Sequence, residues 1–286
     1  MGYSSRSVFY PVRAALGAFL GLIFAVSGVR DGVIRRNFAI IAKFGTLKRP
    51  RLFRLRLGVA LARDLIDLLS PGPLPAPRLH PRSVRHASAL RAGPSLLLTA
   101  HYGNWEAQAS AWRRLGVPLL GAARPVKSAY IAGQVAKIRA RHAVSVVHTG
   151  VPRAALRHLR AGGCFGLLWD QHSPAGMQNG IFGTFFGAPV ALDPLPFFLL
   201  LRNPCPVYFG VLLPDGTLRL IPLFDPARGL RDPAQGLRDG WEPRLARRYH
   251  RVLETLIRAH PARWHGVLHA RFKATENYPG HRGRNS

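Results

Sequence analysis

The segment Thr99-Ala-His-Tyr-Gly-Asn-Trp-Glu106 places a histidine and a carboxylate five positions apart. An imidazole bonded through one nitrogen to a carboxylate has a fixed tautomer and a raised basicity. Its other nitrogen can then take a proton from an alcohol. On one continuous helix His101 and Glu106 would diverge by about 140°, and no such bond would form. Across a strand–turn–helix the two side chains can fold back toward each other. The local residues suit that arrangement: an apolar run ends near Ala100, Gly103 permits a tight turn, and Asn104 is a good N-cap for a helix opening at Trp105. His101 then lies at the carboxyl end of a strand, where ligands bind in open α/β sheets. Glu106 falls in the first helical turn, where the dipole favours negative charge. A buried histidine satisfied by a glutamate would produce the same spacing, so the pattern alone is compatible with catalysis and with core packing.

The elements around this segment alternate. Ser95–Ala100, Val117–Ala122, Val144–Val147 and Phe165–Trp169 are short apolar runs that read as buried strands. Trp105–Leu115, Tyr130–Arg141 and Pro152–Ala161 read as the helices between them, with Pro152 in a first turn and Gly162-Gly163 as a stop. Further strands are expected at Val207–Leu213 and Leu218–Leu223, and a long helix from about Glu242 to His260. Continuous apolar strands separated by helices predict an α/β fold with a largely parallel central sheet flanked by helices. This domain is expected over 76–286, after the prolines at 71, 73, 75 and 77.

Two other segments precede it. Residues 1–30 contain an uncharged apolar stretch, Ala14 to Val29, bounded by Arg13 and Arg30. It reads as an N-terminal membrane-associating helix, at about 24 Å somewhat short of the ~30 Å hydrocarbon core. A cleaved signal is the rival, with Ala25-Val26-Ser27 as a loose cleavage site. However, Arg30, Arg35, Arg36, Lys43, Lys48 and Arg49 follow at once, and such charge holds a flank in the cytoplasm. Residues 31–75 are basic, and Arg49 to Leu69 has the pattern of an amphipathic helix suited to an anionic membrane surface or to packing on the core.

Composition narrows the classes. Of 286 residues, 41 are Lys or Arg and 13 Asp or Glu, a formal charge of +28, while 48% are hydrophobic. The apolar share excludes a disordered basic tail, and the charge calls for anionic partners such as lipid headgroups, phosphorylated ligands or nucleic acid. Only Cys164 and Cys205 occur, without a CxxC pair, so a disulfide scaffold and a thiolate zinc site are excluded. His142, His148, His172 and His269 have no metal-ligand spacing.

The form HYGNWE resembles the first motif of the bacterial lipid A biosynthesis acyltransferases, the late lauroyl/myristoyl transferases, within the wider glycerolipid and lysophospholipid acyltransferase superfamily. The resemblance continues, in order, through Arg124-Pro125, the IRAR run with Arg139, the LLWDQ segment ending at Asp170-Gln171, Phe182-Gly-Thr-Phe185-Phe186-Gly187, and Arg271-Phe272-Lys273. The chain departs from the family near its end: Gly266 stands where a second aromatic follows Trp264, and Arg271 comes one residue late. The resemblance implies that His101 is the general base, that Glu106 orients it, and that the deprotonated acceptor hydroxyl attacks an acyl carrier protein or coenzyme A thioester. It implies no cofactor, metal or covalent intermediate. Arg124 or Arg139 would supply charge to the oxyanion or clamp a phosphate, or either would be an ordinary surface arginine. Asp170 would hold the acceptor, brace the site or merely cap a loop. Phe182, Phe185 and Phe186 would wall an acyl pocket or pack the core.

The expected function is therefore O-acyl transfer to a glycolipid hydroxyl, such as that of a lipid A precursor, at the cytoplasmic face of the cell membrane. Alternatives are a glycerophosphate, lysophospholipid or phosphatidylinositol mannoside acyltransferase, and an inactive relative that binds glycolipid. A basic nucleic-acid-binding protein is the alternative from another class. No RRM, KH or zinc-finger signature supports it, and nucleic acid is not an expected partner.

Overall fold

Strands built on a continuous apolar run must be covered on both faces, and β2 (Ser95–Thr99) shows how. Leu96 and Leu98 pack into one buried cluster and Leu97 into another on the opposite face. Each fully buried leucine contributes about 1.5–3 kcal/mol. The computed structural model describes residues 5–44, 52–69, 78–125, 128–141, 144–226, 231–232, 236–237 and 240–275. The chain begins with α1 (Ser5–Val26), α2 (Asp31–Phe44), α3 (Phe53–Leu69), β1 (Arg78–Leu79), α4 (Val84–Ala92) and β2 (Ser95–Thr99). There follow α5 (Trp105–Arg114), β3 (Leu119–Ala122), α6 (Ala129–Arg141), β4 (Ser145–Val147), α7 (Val151–Arg160) and β5 (Cys164–Leu168). Next come α8 (Pro174–Gln178), β6 (Phe182–Phe185), β7 (Ala188–Ala191), α9 (Leu195–Arg202), β8 (Val207–Leu212), β9 (Thr217–Phe224) and α10 (Trp241–Ala259).

The main sheet has seven strands in the order β1-β9-β8-β2-β5-β3-β4. Strands β8, β2, β5, β3 and β4 run parallel; β9 is antiparallel to β8, and β1 follows β9. The expected largely parallel sheet is present, and its one antiparallel junction follows from the tight turn at Asp215-Gly216, where Gly216 has φ 79°. The Phe182–Gly187 motif forms β6 and the turn of a separate hairpin with β7.

The N-terminal helices hold one another through small residues and one arginine, and meet the domain through Asn37. Helices α1 and α3 cross where Gly21 meets Gly58; a Cβ on Gly58 would lie 2.7 Å from the Gly21 carbonyl oxygen. Arg54 donates to the carbonyls of Phe24, Ala25 and Val29 at 2.9–3.0 Å, satisfying the exposed end of α1. Asn37 of α2 donates to the carbonyls of Val267 and His269. Among the described residues no single helix is long and apolar enough to cross a membrane. Parts of α1 and α2 pass together only as a pair bent by 88°. The proline-rich boundary at 70–77, Lys48, Arg49 and His142 lie outside the described residues.

Candidate active site

Two parallel strands build the site. In the β2–β5 register Thr99 lies opposite Leu168. His101 and Asp170 each sit two residues past those strand ends, so neighbouring chains deliver them side by side. The Trp169 N–H donates to the Thr99 carbonyl at 2.9 Å and carries the pairing one step beyond the strands. His101 Nδ1 then lies 2.7 Å from Asp170 Oδ1. The His101 backbone N–H and the Trp264 indole N–H both donate to Asp170 Oδ2, at 3.1 and 2.9 Å.

Asp170 is fully buried. Burial alone would push its carboxyl up, but the His101 ring and the hydrogen bonds from His101 and Trp264 outweigh it and hold it down at about 2. It is therefore an ionised acceptor. The ring nitrogen facing it carries the proton, which leaves the Nε2 lone pair directed elsewhere.

The turn after β2 follows the expected design. Gly103 has φ 59°, and a Cβ there would meet the Arg263 guanidinium at 2.7 Å. Asn104 caps α5 by accepting from the Ala107 N–H at 2.9 Å. The expected partner of His101 is not the one observed. Glu106 leaves the turn on α5 toward α6, where its carboxylate takes Arg139 Nη2 at 2.6 Å and Nε at 3.2–3.3 Å. The physical reason is competition for donors. A buried Asp170 carboxylate is costly without hydrogen bonds and claims the ring, whereas Glu106 is satisfied by a bidentate guanidinium.

A cavity of about 670 Å³ opens at this point, lined by His101, Trp105, Glu106, Arg124, Arg139, Gln171, His172 and His269. Leu97, Trp112, Leu119, Val146 and Leu167 supply an apolar portion. His101, Glu106, Arg124 and Arg139 are thus brought together, with Arg139 already paired and Arg124 exposed at the edge. Phe182, Phe185 and Phe186 do not line it. Phe182 is largely exposed, while Phe185 and Phe186 are core residues packed against each other. Phe185 also meets Trp264 and Phe272.

Several site residues had no role assigned from sequence. Trp105 meets the His101 ring edge-on at 5.0 Å, and His269 approaches it at 5.5 Å. Gln171 Nε2 lies 3.1 Å from His101 Nε2. Burial lowers the His172 ring to about 4 and the His265 ring to about 3. Asp64, 3.6 Å from His265, is raised by burial to about 6 despite its bond to Arg263. The departure at Gly266 has a local cause: a Cβ there would collide with the Trp264 indole and the Asp170 carboxylate.

This site lies inside a stretch matched by a known family. The model for the bacterial lipid A biosynthesis acyltransferases matches residues 86–274. Among curated proteins none matches the chain. The chain belongs to the bacterial lipid A biosynthesis acyltransferase family and is an acyltransferase.

Proposed function

We propose that the protein moves a fatty acyl group from an acyl carrier protein or coenzyme A thioester to a hydroxyl of a glycolipid such as a lipid A precursor. His101 is the general base, and Asp170 takes the orienting role expected of Glu106. The observation that carries this reading is the 2.7 Å bond from His101 Nδ1 to buried Asp170, with the ring's other nitrogen on the cavity side.

The chemistry follows from that geometry. Nε2 takes the proton of the acceptor hydroxyl as its oxygen attacks the thioester carbonyl carbon. The carbonyl electron pair moves to oxygen, and the tetrahedral species collapses with cleavage of the C–S bond. The departing sulfur receives the proton from the imidazolium. Asp170 stabilises the imidazolium and keeps the ring from turning. Among the described residues lining the cavity, Arg124 is the cation available for the oxyanion or for a donor phosphate, because Arg139 is held by Glu106. The apolar cavity wall receives the acyl chain. Acyltransferases of this family need no cofactor.

Membrane association is part of the proposal. Leu16, Phe19, Leu22, Ile23 and Val26 of α1 are exposed, and Arg30, Arg35 and Arg36 follow them. Apolar side chains beside cations suit the cytoplasmic face of an anionic bilayer, with α1 lying in the interface or dipping into it. The surplus of +28 also suits an acidic carrier protein or the coenzyme A phosphates.

The test is transfer of labelled acyl groups to a panel of lipid A precursors, lysophospholipids and phosphatidylinositol mannosides. Wild-type protein transfers to a glycolipid, and folded His101→Ala protein does not. Undiminished turnover by that variant defeats the assignment.

A further inference from the structure

Gln171 is the residue that touches the working nitrogen. Its carboxamide Nε2 is 3.1 Å from His101 Nε2. Since His101 Nδ1 donates to Asp170, its Nε2 is an acceptor, and the amide N–H must be the donor. The lone pair that would receive a proton is therefore engaged by the Gln171 amide. The backbone of Gln171 is fixed: its carbonyl accepts from the buried Arg271 guanidinium at 3.1 Å, and the same guanidinium donates to the Ala191 carbonyl at 2.9 Å. The side chain beyond it is the part that can move. Adjacent residues thus grip the ring from opposite sides, Asp170 at one nitrogen and Gln171 at the other.

We infer that Gln171 is a specificity-determining guard that keeps water off the base, yielding Nε2 to the acceptor hydroxyl and so favouring acyl transfer over thioester hydrolysis. The inference rests on the proposal that His101 is the base. Hydrolysis needs the same steps with water as nucleophile: a water proton goes to Nε2, its oxygen attacks the thioester carbon, the C–S bond breaks, and the thiol leaves with the proton. Any nucleophile must first displace the amide. A lipid acceptor brings binding energy from its remote parts to do so, whereas a water molecule brings none. The net worth of one neutral hydrogen bond corresponds to about a 2- to 12-fold bias.

The test uses full-length protein with lauroyl-coenzyme A, measuring thiol release without acceptor and transfer with a lipid A precursor. Gln171→Met removes the donor at similar length; Gln171→Ala is the second variant should the first fail to fold. The expected result is a rise of about 2- to 12-fold in acceptor-free hydrolysis and a fall in the ratio of transfer to hydrolysis. A purely structural role would lower both reactions together and leave the ratio unmoved. Hydrolysis that stays level or falls in a folded variant overturns the inference, as does a parallel loss of both reactions. His101→Ala separates the two readings. If it still transfers, the general-base proposal fails and the guard with it. If it is inactive while Gln171→Met gains no hydrolysis, only the guard fails.

Discussion

Replacing Asp170 by Asn keeps the shape of the side chain and removes its charge, which makes the consequence calculable. Two carboxylate oxygens now serve three donors: the His101 ring, the His101 backbone N–H and the Trp264 indole. An asparagine offers one oxygen and an NH₂ group, so a donor would face a donor. Either a buried N–H goes unsatisfied, at about 1–3 kcal/mol, or the imidazole shifts its proton to Nε2 and accepts from the amide at Nδ1. The second outcome satisfies the hydrogen bonds at position 170 but destroys the base, since the nitrogen facing Gln171 then carries a proton. A wrong-tautomer histidine of this kind costs on the order of 10⁴ in kcat. Stability should suffer too. The carboxyl is held at about 2 instead of 3.8, and at ~1.4 kcal/mol per unit the ionised form contributes about 2–3 kcal/mol. That contribution is present above about pH 4 and lost as pH falls toward 2. The assay is acyl transfer under saturating donor, with urea unfolding at pH 7 alongside. Glu106→Gln is the matched control, because it leaves the His101–Asp170 bond intact and should retain far more activity. If Asp170→Asn transfers at near the wild-type rate, or Glu106→Gln is the more damaged enzyme, the assignment of Asp170 as orienting residue is wrong.

Three further outcomes are expected. Glu106 and Arg139 form a partly buried bidentate pair, so a double-mutant cycle with Glu106→Gln and Arg139→Gln should show a coupling of about 1–2 kcal/mol in urea unfolding; additive effects would contradict the pairing. Phe185 is fully buried, so Phe185→Ala should cost about 3–5 kcal/mol while leaving the preferred acyl length unaltered, and an altered chain-length profile would place it at the pocket after all. The His265 ring is held down at about 3 by burial, so its neutral form contributes stability above about pH 6.5 that is lost as pH falls through 3. Asp64, raised by burial to about 6, acts in the opposite sense between about pH 4 and 6. Replacing His265 by Gln should remove the rising component and leave that of Asp64 unopposed, making the slope of stability against pH more negative by up to about 1.4 kcal/mol per pH unit between about pH 4 and 6, measured by urea unfolding from pH 4 to 7; unchanged slopes would refute it.

The parts of this site legible in the sequence are those set by neighbours along the chain. The turn at Gly103, the cap at Asn104 and the position of His101 beyond a strand depend on a handful of consecutive residues, and each stands where the local signals put it. The parallel alternation was readable for the same reason: strands built on a continuous apolar run need cover on both faces, and helices supply it. What local signals do not carry is register. Nothing within HYGNWE distinguishes Glu106 from a distant carboxylate as the partner of His101. The choice is made by the pairing of Thr99 with Leu168, which aligns Asp170 with the histidine. Burial then makes the choice firm, because an ionised Asp170 without donors would be far costlier than Glu106 on a cavity wall beside Arg139. The same non-local logic explains Gly266, whose missing side chain leaves room for Trp264 to reach Asp170. It also explains the aromatics of β6 and the turn that follows, whose spacing suits a pocket wall as well as a hairpin core. A histidine and an acid in one short motif therefore do not define a dyad. They define where the histidine stands, and the strand beside it decides which carboxylate the ring meets.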